Sequence, residues 1–317
     1  MSTEPPQASL NASLSIPGKI FLIGEYAVLE GEPAWVAAVP PRFRWNLGPA
    51  GGKPAGFHPD SAAAKFVRSV GRASTPGTFV DAWEGQGGFG GSTAEFAIAA
   101  YLAGVRDPLE AHRKYRDLHR EHRPLDRANS GPLPSGADLV AQWVGGAIEW
   151  TPDDQGSGSF RSIENELCGL PFLFFSATHL PDRKTKTHAH LEALAEKPIE
   201  GARFATLSPV IELARSALAE KDLLTLGTAF TRYAEALHEL GLEAESAHAD
   251  RSALAELPGV IGVKGCGALQ TDAIVLLVED AKDEAVIESV IGFAEATLGL
   301  RLLSRGLPRE PGIREET

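Results

Sequence analysis

The sequence predicts an α+β fold, and three features carry that reading. Apolar, β-branched runs and a glycine-loop helix fill the first half, a helical stretch follows, and a strand-helix-strand pattern closes the chain. No repeat or low-complexity stretch interrupts this order. With 317 residues, 43% hydrophobic and 23% charged, the chain can bury a sizeable core. Its length suggests about two domains of roughly 150 residues, expected to divide into residues 1–165 and 166–317.

Ser13 to Ile23 mixes β-branched and apolar residues around Pro17-Gly18, and Ala34 to Pro40 is a second apolar run, so both read as strands. A loop rich in Gly, Pro and Lys, Ala50 to Pro59, leads to a short helix over Ser61 to Val70, and Thr78 to Trp83 reads as a strand. Gly85-Gln-Gly87-Gly88-Phe-Gly90-Gly91 is the densest cluster among 33 glycines, and Ser92-Thr93-Ala94-Glu95 opens an Ala-rich helix running to Leu102. Asp107-Pro108 starts the next helix with an N-cap acid and a first-turn proline. His112, Arg116, His119 and Arg123 read as its solvated face. After a Pro- and Gly-broken loop, Ser135-Gly136-Ala137-Asp138 begins an apolar helix to Val144, ended by Gly145-Gly146.

Ala147 to Trp150 follows as a strand, Asp153 to Ser159 as a hairpin or loop tip, and Leu170 to Ser176 as a buried strand. Apolar spacing of three and four then predicts helices over Thr187 to Leu194, Ser208 to Leu218, Asp222 to Leu240 and Glu243 to Leu254. Strands at Val260 to Lys264 and Ala273 to Val278 flank the turn Gly265-Cys266-Gly267-Ala268. A helix over Ala285 to Leu298 and a strand over Leu300 to Leu303 complete the order, and the charged tail after Arg305 is expected to fray.

The 30 Lys+Arg against 42 Asp+Glu leave a net charge of −12, which argues against a nucleic-acid partner. Two cysteines, Cys168 and Cys266, are too few for a disulfide framework or a thiolate zinc site and fit a reducing compartment. The polar, Pro-containing leader Met1 to Asn11 lacks a signal-peptide pattern. Apolar runs such as Phe96 to Val105 fall short of the ~20 residues that cross a bilayer. A cytoplasmic protein with no membrane partner is expected.

Four segments can carry chemistry. In the glycine cluster, backbone N–H groups can approach an anion while the following helix aims its free N–H groups at the same place, which makes a phosphate cradle. Gly85, Gly87 and Gly90 spell a dinucleotide pattern, but no opening βαβ unit precedes them. No Lys precedes Ser92, so the P-loop pattern fails. Ser92 and Thr93 sit at the helix mouth, where a hydroxyl can cap the helix or ligate magnesium. In the second segment, Pro17 to Gly31, Lys19 and Glu25 interrupt an apolar stretch, and burial would require pairing or function. An edge strand with solvated charges explains them equally. Asp138 in the third segment suits the helix dipole, so capping and catalysis both account for it. Cys266 in the fourth reads as a small packed residue.

Together these segments resemble the GHMP kinase family of small-molecule kinases. PGKIFLIGEYAVLEG, Pro17 to Gly31, is similar to the family's N-terminal signature. GGFGGSTA, ending at Ala94, resembles its phosphate loop, with Gly91 where a first serine is usual and Ser92 at the magnesium-ligating serine. PSGAD resembles the turn bearing the catalytic aspartate, here Asp138. KGCGALQTDA, Lys264 to Ala273, aligns with the C-terminal glycine motif, with Leu269, Gln270 and Thr271 in place of its glycines.

The resemblance implies a two-lobed GHMP kinase fold, with a ribosomal S5-like N-terminal domain, a ferredoxin-like C-terminal domain, and ATP and substrate between them. It implies transfer of the ATP γ-phosphoryl group to a hydroxyl or phosphate of a small molecule. Asp138 would take or orient the acceptor's proton, and Lys19 would hold Asp138. Gly87, Gly88, Gly90, Gly91, Ser92 and Thr93 would bind the phosphates, and Ser92 with Asp126 would ligate Mg2+. Glu25, Tyr26, Gly267 and Ala268 would border the substrate, Tyr26 standing where mevalonate kinases usually carry His.

Arg183, Lys184, Thr185, Lys186 and Thr187 gather three cations and two hydroxyls in an acidic chain, which suggests an anionic acceptor. A solvated helix entry explains the same run. Similarity points to the mevalonate-pathway branch of isoprenoid precursor synthesis. GEYAVLE, SGAD and Asp272 favour phosphomevalonate as acceptor, and GEPA at Gly31 to Ala34 favours mevalonate. Decarboxylation of mevalonate diphosphate and non-catalytic ligand binding are the other readings, and a homodimer is compatible with the family. A metal centre at His188, His190 and Glu192 is disfavoured, because residues two apart on a helix do not share a face.

Overall fold

The computed structural model describes residues 13–48, 56–71, 76–84, 87–122, 133–153, 157–180 and 204–316. Two antiparallel sheets organise the chain. The first is built on β1 (Ser13–Ile23) and β2 (Ala34–Leu47), joined through a 3-10 turn over Ala27–Glu30. Their register shifts between Pro17 and Gly18, where the proline has no N–H to give the ladder. β3 (Gly77–Val80) pairs with the far end of β2, and β4 (Ala147–Pro152) pairs with its first half and then with β5 (Gly158–Ser162). β1 is buried from Leu14 to Ile23, so its charged residue Lys19 is held inside the fold and not on a solvated edge.

The helices α1 (Ala62–Ser69), α2 (Gly91–Leu102), α3 (Pro108–Glu121) and α4 (Ala137–Val144) pack on this sheet and on one another. α2 is apolar all round, and residues 93–100 are all buried, as expected of a central helix. α5 (Glu164–Leu167) then carries the chain across the expected division at residue 165.

The second sheet runs in the order β7 (Val260–Cys266), β8 (Ala273–Val278), β6 (Phe172–Ser176), β9 (Arg301–Arg305). Its inner strands β6 and β8 are buried at every position, which their unbroken apolar runs require. The helices α6 (Ser208–Glu220), α7 (Leu223–Glu239), α8 (Glu245–Ala255) and α9 (Glu284–Ala296) belong to this half. α7 lies so close to β7 that a Cβ on Gly227 would come within 2.5 Å of the Ile261 carbonyl oxygen. The main core cluster spans both halves, from Trp35, Trp45 and Phe96 to Phe172, Phe230 and Tyr233.

The hairpin expected around Asp153 to Ser159 is present, β4 pairing antiparallel with β5. One local expectation is corrected. The tail expected to fray forms β10 (Arg314–Glu316) and pairs antiparallel with β1 in the first sheet. Arg42 fastens it, donating to the carbonyls of Pro311 (2.6 Å) and Gly312 (2.7 Å) and to Glu310 Oε2 (3.1 Å). Charge in the tail is thus spent on a specific anchor, and the last residues belong to the first sheet and not to the second. The expected helix over Thr187 to Leu194 lies outside the described residues.

Candidate active site

β1, the glycine loop and the start of α4 meet at one point. The loop is drawn onto β1 by a hydrogen bond from Lys19 N–H to the Phe89 carbonyl (3.0 Å). Phe89 is fully buried and stacks on Trp83 with ring centroids 3.5 Å apart. The φ angles of Gly87, Gly88 and Gly90 are 84°, 81° and 84°, a region costly to residues with a Cβ. Two of these glycines also have neighbours where a side chain would go. A Cβ at Gly88 would collide with the Asp272 carboxyl, and one at Gly90 would lie 3.0 Å from both Lys19 Cγ and Gln142 Nε2.

Gly90 is the N-cap of α2 and Gly91 its first residue, and no side chain caps this end. The first N–H groups of α2 therefore face the loop with the positive end of the helix dipole behind them. Ser92 is exposed at this mouth with its hydroxyl not used for capping, whereas Thr93 is buried. Thr93 Oγ1 lies 2.6 Å from Gln142 Oε1, 3.0 Å from the Gly90 carbonyl and 3.5 Å from Asp138 Oδ2.

Asp138 occupies the first turn of α4 behind Gly136, whose φ is 72°. Its Oδ1 accepts from Leu139 N–H (3.0 Å), and Oδ2 faces Thr93. The turn rests on α3. His112 is buried, with Nε2 2.7 Å from the Ser135 carbonyl, and Arg116 donates to the Pro134 carbonyl (3.2 Å). These two residues were expected to be solvated. They instead support the turn, and burial holds the His112 imidazole below its ordinary pKa.

Lys19 is largely buried, with its Nζ 5.1 Å over the Phe21 ring. Among the described residues it forms no ion pair with Asp138, the partner expected for it. Its charge acts on Asp272, a buried carboxyl at the end of the third turn. Burial pushes the Asp272 carboxyl up to about 7 against the pull of Lys19 and of the Ala268 N–H. Asp272 Oδ2 has no hydrogen-bond partner among the described residues, and it sits where a Cβ of Gly267 would be.

The third turn departs from a phosphate cradle. Leu269 and Gln270 hold φ of 52° and 61°, keeping the left-handed backbone suited to glycines without being glycines. Leu269 N–H donates to Tyr26 Oη (3.1 Å), Gln270 N–H to the Gly267 carbonyl (3.1 Å), and Asp272 N–H to the Cys266 carbonyl (3.0 Å). Those donors are spent within the protein. The Gln270 side chain donates to Glu25 Oε1 (2.9 Å), which also pairs with the fully buried Lys264. Tyr233 Oη holds the Glu25 carbonyl at 2.7 Å. Glu25 is thus locked in a buried network, and Tyr26 has φ 66°. Burial raises the Tyr26 phenol above its ordinary pKa, and pushes the Cys266 thiol up to about 12, so it is no ready nucleophile.

Beside the mouth of α2 opens a cleft of about 520 Å³ lined by His58, Ser61, Phe79, Asp81, Ser92 and Glu95. Glu95 Oε1 accepts from His58 N–H (2.8 Å), and burial raises its carboxyl pKa. Gln142 was not singled out from the sequence. The available signal was a lone carboxamide four residues after Asp138 in an otherwise apolar helix, the spacing that stacks two side chains on one face. Gly85, Asp126, Arg183, Lys184, Thr185, Lys186 and Thr187 lie outside the described residues, as do His188, His190 and Glu192.

This arrangement stands in the fold of the GHMP kinases. The chain is similar over 97% of its length to all (100%) of a Streptococcus pneumoniae phosphomevalonate kinase, at 15% identity and a TM-score of 0.67. It is similar over 98% of its length to 95% of the L. major mevalonate kinase solved with R-mevalonate, at 16% identity and a TM-score of 0.60. A Lactococcus lactis galactokinase complexed with galactose matches 96% of the chain over 95% of its own, at 12% identity and a TM-score of 0.62. No protein-family model and no curated protein sequence matches the chain.

Proposed function

We propose that the chain is an ATP-dependent small-molecule kinase of the mevalonate pathway, with phosphomevalonate as its acceptor. The observation that carries the kinase reading is the junction at Gln142, which joins the Asp138 helix to the glycine loop at the open end of α2. An anion cradle and a carboxylate are thereby held side by side, which is what phosphoryl transfer needs, since positioning and charge neutralisation dominate that reaction.

In this reading the N–H groups of Gly87 to Gly91 and the start of α2 receive the β- and γ-phosphates. The neighbouring cleft, with the Phe79 ring and acceptors on Asp81 and Glu95, takes the nucleoside. Exposed hydroxyl Ser92 and carboxylate Asp138 are hard oxygen donors beside the cradle, which suits Mg2+. Magnesium would offset phosphate charge there. Asp138 orients the acceptor and takes its proton where it carries one. Lys19, close behind the loop, adds a fixed positive charge to the transferring group.

The acceptor assignment rests on GEYAVLE, SGAD and Asp272. GEPA at Gly31 to Ala34 supports mevalonate as the second reading. Coupled ADP release with mevalonate, phosphomevalonate and mevalonate diphosphate tests both. Fastest turnover with phosphomevalonate is expected, CO₂ release would select decarboxylation, and no ADP with any of the three would overturn the assignment.

A further inference from the structure

The Asp272 carboxyl is clasped between two glycines, Gly267 of the third turn and Gly88 of the glycine loop. A Cβ on Gly88 would collide with its Cγ and Oδ1, and a Cβ on Gly267 with its Oδ2, so the carboxyl fills the space that both missing side chains leave. Its backbone is pinned on two sides. Asp272 N–H donates to the Cys266 carbonyl, and the Asp272 carbonyl accepts from Ala177 N–H at the end of β6, both at 3.0 Å. The residue is only 4% exposed, and Oδ2 has no hydrogen-bond partner among the described residues. A buried carboxyl held in this way against a phosphate-binding loop calls for a physical reason.

The groups around it leave its charge weakly compensated. From β1, Lys19 pulls on it through charge, without an ion pair among the described residues. Tyr26 and Cys266 also face it, but burial raises the phenol and pushes the thiol up to about 12, so both stay neutral near pH 7. Lys264 is paired with Glu25. Burial holds the Asp272 carboxyl up to about 7, so near neutral pH it is divided between its two forms and either can be selected. In the kinase reading, the β- and γ-phosphates gather at the N–H groups of Gly87 to Gly91, with this carboxyl against the Cα of Gly88. Polyphosphate there competes for the charge of Lys19. An ionised Asp272 would then face several negative charges from a buried position with its offsetting cation drawn away, whereas a protonated one would not.

We propose that ATP binding at the glycine loop takes up one proton at Asp272, the buried carboxylate accepting it from solvent so that a neutral carboxyl backs the loaded cradle. This inference rests on the kinase reading. The test is calorimetric titration of the full-length protein and of Asp272→Asn with ATP in excess Mg2+, at about pH 8 in two buffers of different ionisation enthalpy. The wild type is expected to take up about one proton more than Asp272→Asn, which has the same shape and no ionisation. The wild type alone gives a second reading, because its affinity for ATP should weaken about tenfold between about pH 6 and about pH 8. Equal proton uptake by the two proteins, or a wild-type affinity flat across that range, would overturn the proposal and leave the kinase reading standing. No ATP binding to the wild type at about pH 6 would overturn both.

Discussion

The Thr93 hydroxyl lies 2.6 Å from Gln142 Oε1, which ties the first turn of α2 to the helix that carries Asp138. The other end of the same carboxamide donates to the Pro17 carbonyl (2.8 Å) and the Gly90 carbonyl (3.2 Å). One buried side chain thus joins the N-terminal motif, the glycine loop and the aspartate turn, three segments that are far apart in sequence. Their mutual geometry depends on it.

Gln142→Ala leaves those partners unsatisfied in a site closed to solvent. A loss of about 2–3 kcal/mol is expected, read as a lower midpoint in urea unfolding. Phosphoryl transfer should fall by more than the affinity for ATP, because orientation is what has been lost. Unfolding and kinetics both unchanged would show that the junction is incidental.

Asp272 gives a pH dependence with a definite sign. Its ordinary value of 3.8 is raised to about 7 in the folded chain, first by burial. Between those values the folded chain keeps a proton that the unfolded chain has released. Stability from this group is therefore fully present below about pH 4 and is lost as pH rises toward about 7. Asp272→Asn removes the ionisation, so its stability relative to the wild type should climb over that window. Unfolding midpoints of the two proteins compared at about pH 5 and about pH 8 provide the check. Parallel pH profiles would remove Asp272 from the account.

Arg42 is the anchor of the C-terminal strand, and its guanidinium also meets Ser15 Oγ at 2.9 Å. Arg42→Ala should cost about 2–3 kcal/mol, since several charge-assisted bonds are lost and the Glu310 carboxylate loses its partner. Hydrogen exchange at residues 313–316 should speed up in the variant while exchange in β8 is unchanged. Equal protection of the tail in both proteins would contradict the anchoring role.

Elements set by local pattern were legible in the sequence. β1 begins and ends where its apolar run does, and α2 follows directly on the glycines that terminate the loop. α3 starts at Pro108 behind the Asp107 cap, whose side chain accepts from Glu110 N–H at 2.6 Å. What escaped depends on partners distant in sequence. β10 is three charged residues, and only the backbone of Ser13 to Ser15 on the outer side of β1 and the grip of Arg42 make it a strand. His112 looks like any surface histidine until the Ser135 carbonyl is placed over it. Leu269 and Gln270 give no sign of their left-handed backbone, because Tyr26 and Glu25 impose it from the first motif.

The central claim is that Asp138 acts on the acceptor beside a phosphate cradle. The most direct measurement is turnover of Asp138→Asn with ATP and phosphomevalonate, alongside calorimetric ATP binding to the same protein. The account predicts turnover reduced by about 10²–10⁴-fold with ATP affinity nearly kept, since a carboxamide preserves the shape but neither takes a proton nor carries charge. Turnover close to that of the wild type would contradict it.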